Sequence, residues 1–236
     1  MKNAIVIGAT GDVGLGIVEA LLGAEFNVLA IARNAAKLDQ LSAQFGSAGN
    51  LTTLASNVGT EDDAERTARE ALKVMTPDLV VLSVNGTAAA TALEGLSPDH
   101  LSDVMKDNLL PHLAATKAFV PLLPRGALFV GIGGGMADFI FPGMAAISMA
   151  QSAQRTLYRY LAAEPAYQHV VIRELMLVSM IAGASKAGIA EPHWITASDV
   201  GRHVIAICAD HQAFPGPILM LKSRKQVGLP ERAPAN

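Results

Sequence analysis

The sequence predicts an α/β protein: a doubly wound parallel sheet of about seven strands, with helices on both faces in three layers. Two observations carry this. Apolar runs of strand length alternate with amphipathic runs of helical period along almost the whole chain. The first alternation also turns through glycines at positions 8, 11 and 14. A strand that turns sharply into a helix needs such residues. Gly8 lets the backbone turn, Gly11 lets a phosphate approach the main chain, and Gly14 lets helix and strand pack closely. The N–H groups at the helix start then face the pyrophosphate of a dinucleotide. Gly8, Thr10, Gly11, Asp12, Val13 and Gly14 are the candidate contacts; the bland alternative is a tight turn and nothing more.

Bulk properties narrow the function. The 236 residues suit one Rossmann-type domain, residues 1–225, followed by a polar tail, 226–236. The chain is 51% apolar, with 17% charged residues and a net charge of -3, so disorder is not expected. No long basic run offers a nucleic-acid or membrane surface, and no apolar run approaches a membrane span. The first apolar run is too short for a signal peptide and ends in the glycine turn, so a cytoplasmic setting is expected. Cys208, the only cysteine, reads as a buried, inert thiol in a helix. No metal cluster stands out.

The second strand, 27–32, ends in Arg33-Asn34. In a dinucleotide fold this end meets the adenosine ribose, where a carboxylate favours NAD. Ala32 brings no carboxylate, and Arg33 offers a fork of donors for a 2′-phosphate. NADP(H) is therefore preferred over NAD(H), with Arg33 and Asn34 as contacts. A helix follows over 35–45 and a third strand over 51–55; Asn57 and Val58, just beyond it, are further candidate contacts. Thr60 is placed to cap a helix over 61–74. A buried strand over 78–84 ends in Asn85-Gly86, a turn beside any bound cofactor.

Residues 97–120 read as a long helix opened by Ser97-Pro98. Pro111 predicts a kink near Asn108. A fifth strand, 127–132, runs into Gly133-Gly134-Gly135, and a helix covers 142–164 with small residues in its first half. The sixth strand is 170–178. Residues 179–192 form a long excursion with a short helical piece, in the manner of a lid. A helix over 196–209 and a strand over 217–221 close the sheet. Met136, Phe141 and Met144, with Ile147, mark an apolar substrate pocket or simply pack on one another.

The chain resembles the short-chain dehydrogenase/reductase family over residues 3–221. The landmarks are Gly8-Ala9-Thr10-Gly11-Asp12-Val13-Gly14, Ala32-Arg33-Asn34, Val84-Asn85-Gly86, Asp107-Asn108-Leu109 and Pro142-Gly143-Met144-Ala145-Ala146, in order. The commonest family pattern has glycine where Asp12 stands; related subfamilies use the present spacing. The resemblance implies a seven-stranded sheet, a nicotinamide cofactor, a homodimer or homotetramer, and a catalytic set of Asn, Ser, Tyr and Lys. Asn108 matches the first. The serine, tyrosine and lysine positions are Gly134, Ile147 and Gln151. The family's Pro-Gly after the sixth strand is replaced within Val178-Ser179-Met180-Ile181.

The loss is chemically serious. Hydride transfer to a carbonyl builds an alkoxide that must gain a proton, and isoleucine has none to give. Lost general acid catalysis costs about 10²–10⁴-fold in rate. Tyr158 stands about 16 Å further along the helix at 1.5 Å per residue, too far to substitute. Asp138 and His193 are candidate stand-ins, with a solvated loop and a surface histidine as the default readings; His112 reads as structural. Three functions follow: an NADP(H)-dependent oxidoreductase of carbonyls or activated alkenes with a rerouted proton path; a non-catalytic NADPH-binding sensor or partner subunit; or a non-redox isomerase or cyclase using the same pocket.

Overall fold

The computed structural model describes residues 1–46, 49–87 and 89–230. The strands β1 (Asn3–Ile7), β2 (Asn27–Ala32), β3 (Leu51–Ala55), β4 (Leu79–Leu82), β5 (Leu128–Gly134) and β6 (Val171–Leu177) are joined to a last strand, Ile218–Leu221, in one sheet. All its pairings are parallel. From one edge the order is β3-β2-β1-β4-β5-β6 and then that last strand. The expected seven-stranded doubly wound sheet is therefore present, and its Rossmann-type order reverses beside β1, where the glycine turn sits.

Side chains alternate faces along each strand, so one apolar run feeds two cores. Ala4, Val6, Leu79 and Val81 point to one face, which is covered by α1 (Asp12–Gly23) and α2 (Ala35–Phe45). Ile5, Ile7, Val80 and Leu82 point to the other, beneath α3 (Glu61–Val74). Burying each large aliphatic side chain contributes about 1.5–3 kcal/mol. Thr60 and Ser97 cap their helices as expected, accepting from the N–H groups of Asp63 and His100.

The long helix expected over 97–120 is two: α4 (Pro98–Asn108) and α5 (Leu110–Phe119). The break falls at Leu109, because Pro111 has no N–H for the carbonyl one turn earlier. The next helix, α6 (Ala145–Ala163), begins later than expected, since Pro142-Gly143 forms a turn in which Gly143 has φ +80°. The excursion after β6 holds a short parallel pair, β7 (Ile181–Ala182) with β8 (Ile195–Thr196), and one 3₁₀ turn, Ala184–Lys186. It leads into α7 (Ala197–Ala209) and then β9, the strand Ile218–Leu221.

Helix α7 packs against α1 at close range: a Cβ at Gly201 would lie 2.5 Å from Ala20 Cβ. The start of the polar tail is tied down. Arg224 Nε donates to Asp199 Oδ2 at 3.0 Å, and the Gly228 N–H donates to His203 Nδ1 at 3.1 Å. Residues 231–236 lie outside the described residues. No helix among the described residues is long and apolar enough to cross a membrane.

Candidate functional site

The glycine turn follows β1 between the carboxyl ends of β2 and β4: the Gly8 N–H donates to the Ile31 carbonyl at 2.9 Å, and the Ser83 backbone lies against Gly8. Gly8 sits at φ +85°, a conformation that favours glycine, and a Cβ there would overlap the Ser83 carbonyl. A Cβ at Gly14 would overlap the Gly8 carbonyl in the same way. The result is bare backbone leading into α1. Gly11 caps that helix without a side-chain bond, so its first N–H groups remain turned to the loop. Thr10 and Val13 flank this turn.

At the end of β2, Arg33 is exposed, and Asn34 caps α2 by accepting from the Lys37 N–H at 3.0 Å. Asn57 is committed within its own turn. Its Oδ1 accepts from the Gly59 N–H at 3.1 Å, and its Nδ2 donates to Asp63 Oδ2 at 3.0 Å. Val58 is buried beside α3. Asn85 is exposed, while a Cβ at Gly86 would lie 2.5 Å from Asp107 Cβ, so this turn lies directly on the end of α4. There Asn108 is buried; its Nδ2 donates to the Val104 carbonyl at 2.9 Å, and its Oδ1 has no hydrogen-bond partner.

The glycines of β5 open a slot that α6 fills. Side chains at Gly131, Gly133 and Gly134 would overlap, in turn, the Tyr158 hydroxyl, the Glu174 carboxyl and the Gln151 amide. Gln151, Gln154 and Tyr158 are spaced i, i+3, i+7 and so share one face of the helix. Gln154 Nε2 donates to the Ile132 carbonyl at 3.0 Å. Tyr158 is fully buried and lies 3.0 Å from His112 Nδ1. His112 Nε2 lies 2.9 Å from the Val84 carbonyl, which can only accept. His112 is thus the Nε2–H tautomer, and its Nδ1 accepts a hydrogen bond from the Tyr158 hydroxyl. Burial holds the imidazole down at about 4 and pushes the phenol up. Burial also pushes the Glu174 carboxyl up to about 8, against the pull of the Arg155 charge.

Ile147 is 7% exposed and packs with Val104, Ala146 and Ala150; Met136 and Met144 lie against the same cluster. Phe141 does not join them and is 54% exposed. The Thr91 N–H donates to the Gly143 carbonyl at 2.8 Å, drawing the 89–95 segment across the front. Ala89, Thr91, Gly143, Met144, Ala146 and Ile147 line a narrow, tightly packed depression.

The two residues expected as candidate proton donors are engaged elsewhere. Asp138 pairs with Arg155, and exposed His193 pairs with Glu191 at 3.3 Å. Ser148 is buried, with its hydroxyl unpartnered. Among the described residues, no group of His, Cys, Asp and Glu could hold a metal ion. Glu174 was missed from the sequence, although a lone carboxylate within the apolar run 170–178 was a visible signal.

A family described as short chain dehydrogenase matches residues 2–181. The chain belongs to that family. A curated relative, the short-chain dehydrogenase/reductase iacG of Pestalotiopsis fici, is 29% identical over 162 residues, covering 66% of this chain and 64% of that protein. The chain therefore matches just under two thirds of that relative's length. Among solved short-chain dehydrogenase folds, an alcohol dehydrogenase of the archaeon Thermococcus sibiricus, complexed with 5-hydroxy-NADP, superposes with a TM-score of 0.80. It is 20% identical, with 94% of this chain and 96% of that one covered. A short chain dehydrogenase of Burkholderia cenocepacia in complex with NADP gives 0.80 at 16% identity, covering 95% and 98%. At such identities the likeness is one of fold.

Proposed function

We propose that this short-chain dehydrogenase binds NADP(H) and that the ordinary ketone-reducing site of its family is dismantled in it. The adenosine half of a dinucleotide fits the residues present. Gly8 and Gly14 leave a backbone cradle that side chains would fill, and α1 begins there without a side-chain cap. Arg33, exposed at the end of β2 where Ala32 offers no carboxylate, would pair with a 2′-phosphate. When bound, the nicotinamide supplies or accepts hydride.

The surroundings of Ile147 carry the reading. At the position the family resemblance gives to its tyrosine, an aliphatic side chain is packed among Val104, Ala146 and Ala150. At the serine position there is no side chain, and the lysine position holds a neutral amide. None of these three residues can move a proton. Any hydride chemistry on a carbonyl or activated alkene must draw its proton from solvent or from an acid on the substrate.

An apolar substrate suits the rim. Ile140, Phe141, Met180 and Ile189, on the loops after β5 and β6, are all about half exposed or more. Exposed Leu110 and Leu113 of α5, with Met149 and Tyr160 of α6, support a homo-oligomer.

The test is calorimetric titration with NADPH, followed by NADPH oxidation over a panel of ketones. It is run on the native protein and on the triple variant Gly134→Ser/Ile147→Tyr/Gln151→Lys. NADPH should bind both, and only the triple variant should reduce ketones. Equal ketone reduction by the two proteins would refute the dismantled site, and no NADPH binding would refute the cofactor.

A further inference from the structure

The excursion after β6 rests on the start of α1, and one carboxylate holds it there. Asp12 is the first residue of α1. Its Oδ1 accepts from the Ser185 N–H at 3.1 Å, and its Oδ2 accepts from the Ser185 hydroxyl. The backbone of the excursion comes down onto the same residue: a Cβ at Gly183 would lie 2.5 Å from Asp12 Cβ. Beyond the excursion, Ser198 at the start of α7 donates its hydroxyl to Glu19 of the same helix α1.

A negative charge at a helix N-terminus is stabilised by the unpaired N–H groups and the helix dipole. Bonds from Ser185 to an ionised carboxylate are of the stronger, charge-assisted kind. A dinucleotide's pyrophosphate would use the same helix end and carry the same sign of charge. Asp12 therefore supplies from within the chain what a ligand would bring from outside, and ties the excursion over it.

We propose that Asp12 is an internal competitor for the pyrophosphate, and that its bonds to Ser185 latch the 183–190 segment over the cofactor site until a dinucleotide displaces them. This rests on reading the glycine turn as a dinucleotide site. Binding and unlatching are then coupled, and each opposes the closed state by the same factor. Breaking the latch removes both the like charge and the cover. Two substitutions break it from opposite sides. Asp12→Ala removes the carboxylate. Gly183→Ala leaves the carboxylate in place but lifts the segment away from it, at a residue whose φ of -106° any side chain adopts.

The experiment combines hydrogen–deuterium exchange of the ligand-free protein with NADPH titration, for the native chain and both variants. Amides of 183–190 should exchange faster in both variants. NADPH should bind Asp12→Ala about tenfold more tightly than the native chain, and Gly183→Ala by a smaller factor because its charge remains. Native-like or weaker NADPH binding by Asp12→Ala overturns the competition while leaving the proposed function standing. NADPH binding by none of the three proteins overturns both.

Discussion

Gln151 occupies the space that a side chain at position 134 would need. The amide of Gln151 lies where a Cβ on Gly134 would go, and its Oε1 is buried without a partner. The two positions are therefore coupled: small residue on the strand, long neutral residue on the helix. Gly134→Ser alone should displace the Gln151 side chain and cost about 1–2 kcal/mol, since the obstacle is the far end of a flexible chain rather than backbone. Adding Gln151→Ala should recover most of that loss. A double-mutant cycle by urea unfolding measures the coupling, expected at about 1 kcal/mol; strict additivity would show that the two residues do not compete for one space.

Glu174 makes stability depend on pH in an unusual direction. Burial raises its carboxyl from 4.5 to about 8, so the folded protein holds a proton that the unfolded chain releases. The favourable contribution is complete below about 4.5 and is lost as pH rises through about 8. Glu174→Gln keeps the shape and removes the titration. The variant should therefore gain on the native protein by a few kcal/mol between pH 5 and 9, a range and size of about the order this shift implies. Urea unfolding across that range is the measurement, and parallel pH profiles would contradict a neutral buried Glu174.

His112 acts in the opposite sense. Burial lowers His112 from 6.5 to about 4, so the unfolded chain binds the proton first. Stability from the neutral imidazole is present above 6.5 and is lost as pH falls towards 4. His203, which accepts from the Gly228 N–H, is lowered to about 4 by burial as well and adds to the same acid loss. His112→Phe should leave the Tyr158 hydroxyl unpaired at a cost of about 1–3 kcal/mol. Tyr158→Phe in the same chain should reduce that cost. Thermal unfolding of the two single variants and the double decides it.

Arg33 is the proposed discriminator between the two dinucleotides. Arg33→Ala should weaken NADPH binding about tenfold, the scale of one exposed but charge-assisted phosphate contact, and leave NADH unchanged. Calorimetric titration with both nucleotides reads the difference. An equal loss for both would place Arg33 away from the 2′-position.

Which features were legible beforehand follows from how local their causes are. Strands β2 and β4 lie within the expected stretches because parallel strands covered on both faces must be unbroken apolar runs. The caps at Thr60 and Ser97, and the break before Pro111, depend on neighbours within one turn. Phe141 was grouped with Met136 and Met144 from its position in the chain. The turn at Pro142-Gly143 sends it outward instead, because helix α6 starts only at Ala145.

The contacts that define the site interior were not legible, since they join residues far apart in the chain. Tyr158 meets His112 across 46 positions, and Asp12 meets Ser185 across 173. A glycine run in β5 reads from the sequence as an absence of chemistry. Packed against α6, it becomes the slot that takes Gln151, Gln154, Tyr158 and the Glu174 carboxyl.

The order of residues by itself determined the layered parallel sheet, the bare glycine turn at its centre, and the absence of hydroxyl and ammonium side chains at positions 134, 147 and 151. Those depend only on side-chain type and on periods of two and 3.6 residues. Folding in three dimensions decided how deeply α6 settles on β5, which carboxyl is kept neutral, and which one is laid across the start of α1. Burial and the facing of distant groups set the energy of a charge, and neither exists until the layers have closed.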